Sequence, residues 1–483
     1  MAIALEQPFV VGDFTTGLID DLSVGGNLFP KNAVGKAINV LFNRPRGSVT
    51  QRLGTTQLGD TIGQTINGLH NHRSSSASNH QLLAAANGSI YRLNGSSFAS
   101  MISGLSSSAK VRFLTYLDNV VFFNGIDQPQ SSTTPGVWVS TGGNLDVGSW
   151  PRDKFASTIN TRAASWGRST DPDTLHLSSL ASSSGAISWS SGNKDIQVYP
   201  NDGGGNSTGI TGNGRVILLF KERGLYRYDD SELQRIGFVG TTSHESIVTD
   251  DNGITYFFGQ GSNGVGFYMT NGGRPVKISR AIIKYVEAIS SSFYENIAAF
   301  TDGSKIEWSI GSITIDGITY TNAYLVYFIS EQSWSVYNRA DRFRVFSQYI
   351  NSDSAITTVG GDTDGMVQTL DSGNTDNGSA ISSECEFSSL VFTTRGRTKT
   401  VSEICTYAEH YQGMELMMKM DKKTYQKIGS INKRNRYFKG FPILRGNELF
   451  VKIIATNTGE PFQLDGFEFP VSGVLDEGYF ESV

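Results

Sequence analysis

The sequence predicts an all-β chain. Its main body is a degenerate six-bladed β-propeller, seven-bladed if residues 341–375 complete another blade, and a small β-sandwich follows. Three observations carry this. A hairpin is spelled twice, first as Val216-Ile217-Leu218-Leu219-Phe220 and Leu225-Tyr226-Arg227-Tyr228 around a charged turn closing at Gly224. It returns as Gly253-Ile254-Thr255-Tyr256-Phe257-Phe258 and Val265-Gly266-Phe267-Tyr268-Met269, with Ile254 lying 38 residues after Val216. β-branched and aromatic runs between Gly/Asn/Asp clusters are the strand signal, and the interval is that of a propeller blade. Second, 54 glycines beside 12 prolines and 11% aromatics describe many short strands and tight turns, not disorder. Third, after Asp371-Ser372-Gly373-Asn374-Thr375-Asp376-Asn377-Gly378 the strands become longer and alternate, as in a sandwich.

In chain order, residues 1–60 predict an extended N-terminal arm with one short helical turn, too polar to fold alone. Such an arm lies along other parts of the molecule or along neighbours, so removing residues 1–55 is expected to leave the blades folded and abolish assembly. Residues 61–375 form the propeller. Gln81–Ala86 and Ile90–Leu93 flank an Asn87-Gly88 turn as the first copy, and Val111–Leu114 with Asn119–Phe123 open the second. Arg162–Arg168 and Thr174–Ser178 form a third, weaker copy before a Ser-rich loop at 179–192. The two opening hairpins are the fourth and fifth. Ile282, Ile283, Val286, Ile289, Phe293 and Ile297 recur at three- and four-residue steps and predict an inserted helix over 279–299. Ile306–Ile310, Tyr324–Phe328 and Trp334–Tyr337 supply the sixth copy. The sandwich spans 380–475, with strands at Val401–Tyr407, Glu415–Met420, Leu449–Ala455 and Phe462–Phe469, and 476–483 is a tail.

At 483 residues the chain can bury a large core. A formal charge of −5 argues against retention on nucleic acid by bulk electrostatics. Two cysteines, Cys385 and Cys405, give no disulfide framework and read as reduced buried thiols. The first residues lack a basic region followed by a long apolar run, and no 18-residue apolar stretch occurs, so neither a cleaved signal nor a membrane span is expected. The Asn-x-Ser/Thr triplets at Asn87, Asn94, Asn206 and Asn377 then carry no glycosylation message.

No catalytic, cofactor-binding or metal-binding set is nominated. Gly259-Gln260-Gly261-Ser262-Asn263-Gly264 has dinucleotide spelling but lies between two strands, whereas a cofactor loop must open a helix. His70 and His72 share one strand face and His80 is near, but without a Cys or carboxylate cluster a polar strand face is the simpler reading. His176, His244 and His410 are isolated. Thr249-Asp250-Asp251-Asn252-Gly253-Ile254-Thr255-Tyr256 resembles the Asp-box of sialidase-like propellers, a structural turn. From 391 to 445 there are twelve Lys/Arg against four Asp/Glu. Lys419, Lys422, Lys423, Lys427, Lys433, Arg434, Arg436 and Lys439, interleaved with Tyr425, Tyr437 and Phe438, are the candidate docking residues for an acidic protein surface or DNA. The alternative is a solvated face.

The order of these segments resembles the tail hub or nozzle proteins of short-tailed bacteriophages, including packaged-DNA stabilisation proteins that close the head-tail channel. The resemblance covers most of the chain. It is carried by Ala37-Ile38-Asn39-Val40 followed by Gly47-Ser48-Val49-Thr50-Gln51-Arg52-Leu53-Gly54, by Arg162–Ser178, Val216–Tyr228, Ile278–Phe300 and Trp334–Tyr337. Met420-Asp421-Lys422-Lys423-Thr424-Tyr425 is similar to their Asp-Gly-x-Thr-Tyr turn but has Lys422 where glycine is usual. The resemblance implies a virion protein, made in the host cytoplasm, with no enzymatic activity and no cofactor. It implies a homo-hexameric ring beneath a portal and head-tail adaptor ring, with tail fibres or a tail needle as further partners. Double-stranded DNA would pass its lumen without sequence-specific binding. Two competing expectations are a carbohydrate-binding or sialidase-like propeller, supported by the Asp-box, and a monomeric interaction propeller, for which a long polar arm has little use.

Overall fold

The computed structural model describes residues 2–4, 7–20, 30, 32–43, 47–76, 80–134, 136–212, 214–350, 355–390, 398–411, 413–457, 459–471 and 474–477. From residue 66 to residue 338, successive strands pair antiparallel with their neighbours in sequence, as short glycine and asparagine turns dictate. Six blades result, with strands spanning 66–102, 112–139, 155–197, 207–237, 239–277 and 298–338. A seventh blade consists of Phe343–Ile350, Ile356–Asp362 and Val367–Leu370, completed by Thr55–Gln57 from far upstream. The described residues of 341–375 therefore do make a blade, and the described residues of the chain form seven.

Each blade buries both faces against its neighbours, which is why Asn119–Phe123 and Ile217–Lys221 are buried at every position instead of alternating. The apolar cores lie between blades. Leu83, Ala85 and Ile90 of the first meet Val111, Val120 and Phe122 of the second. Leu218, Phe220 and Leu225 of the fourth meet Val239, Phe257 and Tyr268 of the fifth. Ile66 and Leu69 of the first meet Val345, Val359 and Val367 of the seventh, and the Asn71 amide donates to Ser347 Oγ at 3.1 Å, so the ring closes.

The sandwich is built from both ends of the chain. One sheet places Val34–Ile38 beside Ser379–Phe387, Leu449–Asn457, Met414–Met420 and Gln426–Ile431. The other is centred on Thr398–Glu409, with Asn435–Gly446 along one edge and Gln463–Phe469 and Val474–Glu477 sharing the opposite edge. Ala2–Ala4, Phe9–Gly12, Val40–Asn43 and Ser48–Gln51 complete that sheet. The described residues of 1–60 thus form no separate extended arm. Apolar side chains at Val11, Phe14, Leu18, Val40, Phe42 and Val49 enter the core; Val40–Asn43 and Ser48–Gln51 pair with each other, but Phe9–Gly12 and Val34–Ile38 take antiparallel partners more than 300 residues away. Cys385 and Cys405 are free thiols on different sheets, the first buried and the second half-buried. Of the 476–483 tail, 476 and 477 belong to a strand and 478–483 lie outside the described residues.

The helix expected over 279–299 is fragmented. A 3-10 turn at Ser279–Ile282 leads into a single α-turn at Ile283–Glu287, and a second 3-10 segment occupies Ser291–Asn296. Ser290 is extended (φ −64°, ψ 133°) and its hydroxyl meets that of Ser292 at 2.8 Å. Serine side chains that bond locally compete with a helix. The apolar spacing was a packing signal all the same, since Ile282, Val286, Ile289 and Ile297 are buried.

Where sandwich and propeller meet, Arg52 is 1% exposed. Its guanidinium donates to both oxygens of Asp376 at 2.7 and 2.6 Å, to Asn39 Oδ1 at 2.8 Å and to the Asn338 carbonyl at 3.2 Å. Asn39 sits in the left-handed region (φ 55°), and its Oδ1 also accepts the Asn338 amide at 2.8 Å. Beside them Arg339 donates twice to Glu307, while Lys305 lies 2.7 Å from both Glu307 and Asp371. Burial pulls the Lys305 ammonium down, but the Asp371 and Glu307 charges outweigh it and hold it well above its ordinary range. Removing one partner of such a pair strands a buried charge. Asp376→Asn is expected to cost about 3–5 kcal/mol in urea unfolding, and truncation of residues 1–55 to unfold sandwich and propeller together. A truncated chain with an intact cooperative propeller transition would contradict this account.

Candidate functional site

The candidate docking cations do not form one patch. Lys419 points into a cleft of about 540 Å³ between sandwich and propeller. There its ammonium lies 3.5 Å from Glu386, 4.3 Å from the centre of the Tyr425 ring and 4.7 Å from that of Phe450. Exposed Lys427 pairs with Glu415, Arg434 with Glu409 at 2.8 Å, and Lys439 with Glu403 at 3.4 Å. Arg436 stacks on Phe438 at 5.3 Å. Lys422 and Lys423 project from the turn before Gln426–Ile431, and Lys433 from the turn after it. A six-residue strand separates the two corners by about 20 Å. Sequence adjacency brought these residues together, and strand direction takes them apart. The 420–425 turn forms without glycine because Asp421, not Lys422, takes the left-handed position (φ 53°), its carboxylate accepting the Asn447 and Glu448 amides at 2.9 and 3.0 Å.

Within the cleft, Lys36 and Lys452 lie 2.7 and 3.1 Å from Glu384. Burial pushes the Glu384 carboxyl up, but the Lys36 hydrogen bond and the two ammonium charges outweigh it and leave it below its usual range. Lys284 holds Asp316 on the facing hairpin at 2.6 Å. These alternating charges make a polar seam between the domains, not a proton-transfer site, since each of these carboxylates has an ammonium as partner.

At the mouth of the propeller axis a cavity of about 340 Å³ is lined by His70, Arg112, His244 and Glu245 on the inner rim of the blades. Glu245 accepts Arg112 at 2.6 Å and Lys110 at 3.1 Å. Burial raises its carboxyl, but those two cations win and hold it far below the carboxylate range, so it supplies no acid. His70 Nε2 and His72 Nδ1 meet one hydroxyl, Thr115 Oγ1, at 2.8 and 3.0 Å. A hydroxyl has one proton to give, so the two neutral rings divide its donor and acceptor roles. Their facing nitrogens are occupied, which is the polar strand face of the simpler reading. His80 bonds the Ser74 carbonyl, and exposed His410 lies 2.6 Å from Glu460.

The remaining motifs are structural. Gly259–Gly264 turns one strand into the next, with the Gly264 amide on the Gly261 carbonyl at 3.0 Å. Asp250 Oδ1 accepts the Asn252 and Ile254 amides at 3.0 and 2.8 Å, as an Asp-box turn requires. Asp362 repeats this on the Asp364 and Met366 amides at 2.9 and 2.8 Å, in a blade the hairpin pattern left open. Buried Asp153 joins Ser165 (2.6 Å) to its cross-strand partner His176 (3.0 Å), but the serine donates its proton to the carboxylate, not to the imidazole, so no nucleophile is activated. Gly205-Asn206-Ser207-Thr208-Gly209 spells a nucleophile elbow, yet Ser207 opens a strand where the elbow needs a strand-to-helix turn.

No protein-family model matches the chain, and no curated protein does. Solved structures similar to it include YCF48 from Cyanidioschyzon merolae, at 8% identity, TM-score 0.39, over 66% of this chain and 98% of that one. The N-terminal domain of Nup159 matches at 8% identity, TM-score 0.39, over 70% of this chain and 99% of that one. The extracellular domain of BT4673 from B. thetaiotaomicron matches at 9% identity, TM-score 0.42, over 89% and 64%. The seven-blade assignment rests on the strand pairing itself.

Burial lowers His70 to about 3 (with the nearby His72 adding to it), His72 to about 4, and His244 to about 3. The folded state therefore binds fewer protons than the unfolded chain below pH ~6.5. This stability is fully present above that pH and is lost as pH falls toward the folded values. Between pH ~6.5 and ~5, before carboxylates contribute, unfolding free energy should drop by up to about 1.4 kcal/mol per pH unit for each ring. Urea titrations across that window should show it, and His70→Phe, which keeps the stack on Phe113, should reduce the slope by about a third. A flat profile would show that these rings titrate normally in the fold.

Proposed function

We propose that this chain is a structural component of a bacteriophage tail: a subunit of a nozzle or hub ring beneath the portal and adaptor, which retains the packaged genome and conducts it during ejection. The observation that carries this reading is the continuity of the two domains. Residues 2–57 contribute strands to both, and a buried ion-pair network sits at their junction. A subunit that holds a pressurised genome needs such a block, because a flexible linker would let the domains move separately.

Since the N-terminal segment is spent inside the chain, ring contacts fall to the exposed surface. The Lys422/Lys423 corner and the Lys433 corner support that role, standing on a body that is otherwise acidic. The net charge is −5 and residues 391–445 contribute 12 − 4 = +8, so the remainder carries −13. An acidic wall suits a conduit, because each phosphate neutralised adds to DNA retention.

The decisive measurement is native mass, alone and with a head-tail adaptor ring. A species near six times 52.5 kDa, about 315 kDa, is expected in at least one sample. A persistent 52.5 kDa monomer in both would overturn the reading. Lys422→Glu with Lys423→Glu should weaken ring or adaptor association about tenfold or more. Lys427→Ala and Lys439→Ala, which lose only exposed, solvent-screened pairs, should change it little.

A further inference from the structure

The sandwich is electrically polarised across one of its sheets. Residues 419–446 hold nine Lys/Arg against the single acid Asp421, whereas residues 453–477 hold Glu460, Asp465, Glu468, Asp476 and Glu477 and no Lys or Arg. The fold sets the two segments apart. Asn435–Gly446 pairs with one side of Thr398–Glu409, while Gln463–Phe469 and Val474–Glu477 pair with the other. Opposite charge on opposite edges of one sheet is complementary to a second copy of itself.

The strand register puts the two poles at one level. A row across the sheet runs from Arg445 through Thr400 and Leu475 to Ala4, and the next from Gly446 through Lys399 and Asp476 to Ile3. Three strand spacings of about 4.8 Å make such a row about 14 Å wide. Lys423 stands at its basic end, where its ammonium donates to the Arg445 carbonyl at 3.1 Å, and Lys422 is beside it on the same exposed turn. Asp421, the acid of that turn, is engaged by the Asn447 and Glu448 amides, and two lysines outweigh it. Asp476 and Glu477 belong to the strand at the other end. Lys399, the register partner of Asp476, is buried and donates to the Asn447 carbonyl at 3.3 Å, so it offers that edge no exposed cation.

Both edges are open to contact. Among the described residues, Asn435–Gly446 has Thr398–Glu409 as its one partner strand, and Ala2–Ala4, outside Val474–Glu477, has that strand alone. Between the pairs Val401–Leu444 and Glu403–Lys439, a single residue, Ser402, stands opposite the four residues Gly440-Phe441-Pro442-Ile443. That bulge leaves Ile443 69% exposed. A bulge, a proline and a lysine on an edge all oppose the addition of another strand. The contact is therefore one of side chains, with Ile443 as an apolar element beside the charges. Opposite edges of a sheet cannot both face one partner, so the contact runs head to tail, and copies that meet at one level close into a ring instead of climbing into a filament.

We propose that the Lys422/Lys423 corner of one copy docks on the Asp476/Glu477 edge of the next, as the head-to-tail joint between copies of this chain. The inference rests on the ring reading above and names the partner of that corner: a second copy, not the adaptor.

The test is a charge swap read by sedimentation velocity of the full chain, with the adaptor ring present if the wild type assembles only there. One variant carries Lys422→Glu with Lys423→Glu, the other Asp476→Asn with Glu477→Lys. Each alone should assemble about tenfold or more weakly than the wild type. An equimolar mixture should recover, because the unaltered edge of the first meets the unaltered corner of the second and the two altered surfaces are again opposite in charge. Wild-type assembly should also weaken from about 0.01 M to about 0.1 M salt, as the screening length falls from about 30 Å to about 10 Å. That arm needs no variant and keeps the test open if the altered edge strand fails to fold. A six-copy ring that tolerates both variants would overturn the joint and leave the tail reading standing. Loss without recovery in the mixture would assign the corner to the adaptor and overturn the joint. Charge-dependent assembly that does not stop at six copies would uphold the joint and overturn the tail reading, and a monomer in every sample would overturn both.

Discussion

The fold depends on burying one charge. Arg52 is sealed between the propeller and the sandwich, and the cost of removing a guanidinium from water is met only by complete hydrogen bonding to Asp376, Asn39 and Asn338. That geometry fixes several things at once. It sets Asn39 in its left-handed turn between two sandwich strands, holds the last strand of the sixth blade, and positions Thr55–Gln57, three residues on, to close the seventh. Shift the N-terminal segment by one residue and the charge loses its acceptors while every strand from Val34 to Gln57 presents its wrong face. The pairings concerned join residues separated by about 300 positions. Such contacts bring loop-closure cost before reward, so the blades of local hairpins should form ahead of the clasp that unites the molecule.

This division explains what could be read from the sequence. Hairpins at 81–94, 216–228 and 254–270 were legible because both strands and their turn lie within one short window. The seventh blade was only half legible, since its outer strand comes from residue 55 and its inner strand, Phe343–Ile350, follows an unremarkable Arg/Asp stretch. The expected arm gives way to sandwich strands for the same reason. Phe14, Val40 and Val49 are core residues, but nothing local says which sheet covers them. At 279–299 the three-four spacing was real, and the Ser290-Ser291-Ser292 run that breaks the helix was the signal against it.

The sites were less legible than the fold. Lys419 and Lys439 looked like members of one basic cluster because charge was counted along the chain, whereas they lie on different sheets, with Glu386 and Glu403 as partners. Conversely Lys423 and Glu477 lie in segments that share no motif. Only the strand order and register bring them to opposite ends of one row. One local clue existed: residues 453–477 hold five Asp/Glu and no Lys or Arg, after a run from 419 to 446 with nine Lys/Arg and one Asp.

The cavities of the propeller bear on the conduit as well. The cavities at and beside the axis measure only about 340 and 490 Å³, whereas the major groove of a DNA duplex alone is about 12 Å wide. A duplex cannot thread this propeller. In the connector reading the lumen must therefore be enclosed between subunits, and the relevant charge is that of the outer surface, not of the axis. The separation removes an apparent conflict. Lys110 and Arg112 beside the axis are answered by Glu245, while in that reading passing DNA would meet a chain whose residues outside 391–445 carry a net −13.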